Sequence, residues 1–168
     1  MRLPTSNSTS TATSGTAPAP SATSLVTDVS LLARSNAELD ALFRASQSGD
    51  IPAGRMRGTV LLWPGTKACA VIARIAHLLL WQGKVVDRRR GTLLNLVSPF
   101  GIQAVKARVS HAPSWVDDKP CVLIDYSRTS LVARTVRDEI RLVGPGIYLG
   151  VVWLSKRRVA WFTLREPS

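Results

Sequence analysis

The sequence predicts a mainly β protein: an antiparallel barrel or sandwich of about eight short strands, with a helix after the first strand. Three observations carry this. From Lys84 onward the apolar pattern has period two, in seven short runs. Turn chemistry separates those runs: Arg90-Gly91, Ser98-Pro99, Pro113-Ser114, Gly144-Pro145-Gly146 and Ser155-Lys156-Arg157. Before them stands one long apolar stretch, Thr66 to Leu80, free of Gly and Pro. Closure into a barrel is favoured because it removes unpaired edges.

The elements follow in order. Residues 1–24 are half Ser or Thr, with three Pro and a single charge, Arg2. Such a stretch cannot bury enough apolar surface to offset its ordering entropy, so a disordered tail is expected. It has no apolar h-region of a secretory signal and no amphipathic transit helix, so a cytoplasmic location is expected. Residues 25–48 read as a helical segment. Leu31, Leu32, Leu39, Leu42 and Phe43 are helically spaced, Ser35 or Asn36 can cap, and Glu38 and Asp40 suit a first turn. Ser48-Gly49-Asp50 and Pro52 end it.

The barrel domain is expected over 54–166. Gly54 to Trp63 is its first strand, ending at Pro64-Gly65. Thr66 then caps a helix over 66–80. Its only polar residues, Lys67, Arg74 and His77, share one side, so it is expected to be largely buried, as a plug or cap for the barrel. No apolar run reaches the roughly 20 residues of a membrane-spanning helix. The remaining strands are Lys84 to Asp87, Thr92 to Val97, Ile102 to Val109, Pro120 to Tyr126, Thr135 to Val143, Ile147 to Leu154 and Arg158 to Leu164.

The chain of 168 residues carries 22 Lys plus Arg against 11 Asp plus Glu, a formal charge of +11, with 45% apolar residues. That composition fits one domain with a core and excludes an acidic disordered chain. Two cysteines, Cys69 and Cys121, with no CxxC, exclude a disulfide framework and a zinc module, and no cofactor is expected.

Alternation assigns faces. In Thr135 to Val143, Arg137, Glu139 and Arg141 share one side, and Val136, Asp138, Ile140 and Leu142 the other. Asp138 is thus a carboxylate on an apolar face. Asp125 shares a face with Cys121 and Leu123. A buried charge needs a partner. Each aspartate therefore either pairs with an arginine or caps a turn, or else lines a pocket.

Small barrels hold small ligands. The expected ligand-binding residues are Trp81, Asp125, Tyr126, Arg137, Asp138 and Tyr148, with Trp153 and Trp161 as further candidate rings. The expected partner is a small hydrophobic or amphipathic molecule. Arg137 beside two acids could grip a carboxylate. An isomerase or cyclase would use Asp138 as base and Tyr126 or Tyr148 as acid. His77 or His111 could ligate haem. A triad from Ser127 or Ser130 with His111 and Asp125 lacks the GxSxG context. Arg88-Arg89-Arg90 and Lys156-Arg157-Arg158 form the basis of a third reading, a module for nucleic acid or anionic surfaces.

Two sets of residues carry a resemblance. Gly54-Arg55-Met56-Arg57-Gly58 and Trp81-Gln82-Gly83-Lys84 resemble the GXWXG-domain proteins, with Met56 in place of the motif tryptophan. The blocks Ser114 to Cys121, Asp125 to Ser130, Val136 to Arg141 and Pro145 to Gly150 are similar to a group of uncharacterised bacterial proteins. Together they span roughly residues 38 to 166. The resemblance implies a calycin-like barrel, as in lipocalins, and no particular reaction.

Overall fold

The computed structural model describes residues 28–61, 81–97, 102–129 and 133–167. The tail over 1–24 and the helix expected over 66–80 lie outside these residues. Two helices come first, α1 (Asp28–Leu32) and α2 (Asn36–Ala45). Ser35 caps α2. Its hydroxyl accepts from the Glu38 amide, and the Glu38 carboxylate accepts from the Ser35 amide at 2.8 Å. These bonds hold the Glu38 carboxyl below its ordinary pKa, the Ser35 hydroxyl contributing most.

Eight strands follow: β1 (Gly54–Leu61), β2 (Trp81–Asp87), β3 (Thr92–Val97), β4 (Ile102–Pro113), β5 (Pro120–Asp125), β6 (Val136–Gly144), β7 (Ile147–Leu154) and β8 (Arg157–Arg165). Each pairs antiparallel with the next, and β8 closes on β1, so the sheet is a closed up-and-down barrel. β3 and β7 match the sequence expectation to the residue. β4 runs on to Pro113 and β2 begins three residues earlier than expected.

Two cores result from the alternation. Inside the barrel, Met56, Val86, Leu93, Val109, Val122, Ile124, Ile140, Tyr148, Phe162 and Leu164 form one cluster. Gly150 makes room in it, because a Cβ there would lie 2.3 Å from the Phe162 ring. Outside, α1 and α2 lay Leu31, Leu39 and Phe43 on Leu61, Leu149, Val151 and Trp161. Trp161 and Trp153 thus face outward. Trp161 meets Phe43 at 5.8 Å between ring centroids, and Trp153 meets Trp115 edge-on at 5.6 Å. Most of β7 is therefore apolar on both sides.

The register depends on one glycine. Gly83 has φ +134° and stands opposite Arg57, and a Cβ at Gly83 would come within 1.8 Å of the Met56 carbonyl. Only glycine lets β1 and β2 approach this closely. Gly83 sits at a register shift in the β2–β3 pairing, and the next residue, Lys84, projects inward beside Met56.

Candidate functional site

Four strands send one polar side chain each into the barrel, Tyr126 from just beyond the end of its strand. Lys84 (β2), Asn95 (β3), Tyr126 (after β5) and Asp138 (β6) are all at most 6% exposed. The Lys84 ammonium donates to Asn95 Oδ1 at 2.9 Å, to Tyr126 Oη at 2.8 Å and to Asp138 Oδ2 at 2.9 Å. The Tyr126 hydroxyl donates to Asp138 Oδ2 at 3.0 Å and accepts from Asn95 Nδ2 at 3.1 Å. The ammonium also lies over the rings of Tyr126 and Phe162, at 5.6 and 5.4 Å from their centroids.

The electrostatics follow from burial. Burial, and then the neighbouring Asp138 carboxylate, push the Tyr126 hydroxyl well above its ordinary pKa, so it remains a donor. Lys84 and Asp138 form an ion pair with side chains 4% and 6% exposed. Both hydrogen bonds to Asp138 fall on Oδ2, and among the described residues no donor reaches Oδ1. Lys84 and Asn95 are central in their strands, Asp138 is the third residue of β6, and Tyr126 directly follows the last residue of β5.

The expected site residues thus divide. Tyr126 and Asp138 come together inside. Tyr148 is also inside, yet its hydroxyl donates to the Asp50 carbonyl at 3.1 Å, away from the quartet. Asp125 and Arg137 stand opposite one another in the register but face outward. Asp125 caps a turn, accepting from the Ser127 amide at 2.8 Å. Arg137 spends Nε on Glu139 at 2.6 Å and Nη2 on the Pro113 carbonyl at 2.7 Å, and stacks on Trp115. It lines a shallow outer cleft of about 380 Å³ with Trp115, Asp125, Arg134 and Lys156. The Trp81 side chain lies outside the described residues, as does His77. His111 bonds the Gly49 carbonyl through Nε2 at 3.0 Å.

Sequence reasoning overlooked Lys84 and Asn95. Their signal was parity. Lys84 is two residues before the inward Val86, and Asn95 two after the inward Leu93. Also unexpected is the burial of Glu139 and Arg141 on the outer side of β6. Glu139 accepts from the Ser114 hydroxyl at 2.6 Å and the Trp115 amide at 2.9 Å. Arg141 grips Asp117 with two nitrogens, at 2.6 and 2.9 Å, and donates to the Phe43 carbonyl at 2.9 Å. The 114–119 loop and α2 cover them, which strand alternation alone does not encode.

Geometry and fold define a class: a small closed antiparallel barrel whose apolar interior holds one charge-neutral polar centre. A solved structure, a protein from Thermomonospora curvata, shares the fold at a TM-score of 0.61 and 16% identity, over 80% of this chain and 89% of that one. No family model and no curated protein matches the chain.

Proposed function

We propose that the barrel binds a small, uncharged, largely apolar molecule, with the Lys84–Asp138–Tyr126–Asn95 centre orienting its polar group. The observation that carries this is the desolvated ion pair itself. A buried pair contributes little to stability compared with apolar residues of similar volume. Desolvated titratable groups with specific partners gather at functional sites. The pair is internally neutral, so it favours a neutral ligand over the carboxylate that an arginine clamp would have selected. Among the described residues no donor reaches Asp138 Oδ1, which suits that oxygen to a ligand hydroxyl or amide N–H. The calycin-like assignment and the kinship with GXWXG-domain proteins belong to this proposal.

A second reading uses the same atoms. Tyr126 already donates to Asp138 at 3.0 Å, so a carboxylate and a phenol sit as a base and acid pair for proton transfer on a bound ligand, as an isomerase or cyclase requires. Tyr148 has no place in it, since its proton is directed to Asp50.

The test is titration with Nile red, an uncharged apolar probe, with native mass spectrometry of protein from its own host. Saturable binding at one equivalent, reduced at least about tenfold in a folded Lys84→Met/Asp138→Leu double variant, supports the reading; tenfold corresponds to about 1.4 kcal/mol, the scale of one or two hydrogen bonds. No saturable binding and no co-purifying molecule would overturn it.

A further inference from the structure

We propose that the outer face of β1–β4 is a docking surface for anionic lipid bilayers. The distribution of charge partners points there. On the side that carries the helices and the 114–119 loop, four cations are held by carboxylates: Arg137 by Glu139, Arg141 by Asp117, and Arg44 and Arg158 by Asp40. On the other side, where among the described residues no helix packs, Arg55 and Arg57 of β1 and Lys106 and Arg108 of β4 are exposed. Among the described residues no carboxylate lies within ion-pair distance of these four, nor of Arg89 and Arg128 at the adjoining turns. The nearby acids are committed elsewhere. Asp87 faces Arg90 at 3.7 Å, and Asp125, opposite Arg108 in the register, accepts from the Ser127 amide.

The register sets the pattern on this face. Arg55 pairs with Val85, Val85 with Leu94, and Leu94 with Lys106. One row across four strands therefore reads cation, aliphatic, aliphatic, cation, with its ends about 14 Å apart at the usual strand spacing. Val85 and Leu94 are half-buried, leaving apolar surface between the charges. A lipid surface matches this order. Phosphates meet the flanking cations while aliphatic groups touch the acyl boundary, and long basic side chains reach outward to the headgroups. A nucleic acid matches it less well, because the centre of the row offers neither a ring for stacking nor a hydrogen-bonding side chain. The surface is independent of the interior centre, and its test reads nothing from ligand binding.

The experiment is sedimentation with vesicles, using the full chain. Vesicles of phosphatidylcholine with about one-third phosphatidylglycerol are compared with pure phosphatidylcholine at low and raised salt. Each cation near such a surface is worth about fivefold in partitioning. Arg55→Gln/Arg57→Gln and Lys106→Gln/Arg108→Gln are therefore each expected to lower binding about 25-fold, with unchanged melting temperatures. Arg134→Gln/Lys156→Gln removes the same charge at the β7–β8 turn end and is expected to stay within about twofold. Salt is expected to release the wild type from the acidic vesicles. No preference for acidic vesicles, or an equal loss in the Arg134/Lys156 variant, would overturn the proposal. So would retention on duplex DNA without vesicle binding, which would identify a nucleic acid instead.

Discussion

Replacing Lys84 by Met removes the ammonium while leaving the Asp138 carboxylate in place at the barrel interior. The wild-type side chains are 4% and 6% exposed, so water cannot take over the lost partner. Breaking a buried pair from one side costs about 3–5 kcal/mol. With a urea m-value of about 2 kcal/mol/M, the unfolding midpoint falls by about 2 M. Lys84→Met/Asp138→Leu removes both charges, and its stability is expected to return to within about 1.5 kcal/mol of the wild type. Urea unfolding followed by tryptophan fluorescence at neutral pH measures the wild type, Lys84→Met, Asp138→Leu and the double variant. A single variant that loses less than about 1 kcal/mol, or a double variant that loses as much as the two singles summed, would refute the account of a desolvated and mutually dependent pair. The double variant also separates stability from function, since it is expected to fold and yet fail to hold an apolar probe.

Other expectations follow from single contacts. Gly83→Ala would force a Cβ against the Met56 carbonyl at a positive φ, and a stability loss above about 3 kcal/mol, or failure to fold, is expected by circular dichroism. Cys121 is buried, and burial foremost pushes its thiol up to about 12, so its peptide is expected to escape iodoacetamide at pH 8 in the native protein and react on unfolding. Asp117 is held below its ordinary pKa, first by the Arg141 hydrogen bonds and despite partial burial. A depressed carboxylate stabilises the fold above its unfolded pKa of about 3.9, and that contribution is lost as pH falls through the lower native value. Asp117→Asn is thus expected to be less stable at pH 7 and to show a flatter loss below about pH 4, read as urea midpoints.

Strand order and closure were legible because period-two runs and turn residues agree along the whole second half of the chain. In sequence β3 lies between Gly91 and Ser98-Pro99, and β7 between Gly146 and Ser155-Lys156-Arg157, and their limits were readable to the residue. The inward aspect of Asp138 was also legible, from its neighbours Val136 and Ile140. Its partner was not, since Lys84 stands where the period-two pattern only begins and lysine is ordinarily a surface residue. The outward aspect of Asp125 depended on which of two alternating faces closes inward, and local pattern does not decide that. Which core Trp161 joins is not legible for a related reason. A large ring on a strand reads as interior lining, but here α2 supplies a second core outside the barrel.

β6 has no wet side over its central residues. Asp138 and Ile140 point into the interior, while Glu139 and Arg141 are sealed beneath the 114–119 loop and α2. Its amides are flanked by β5 and β7 and screened from both directions. In deuterated buffer they should be among the last to exchange, opening only when the molecule unfolds globally. The strand that gives the interior its acid is thus also the one around which the molecule is most firmly closed.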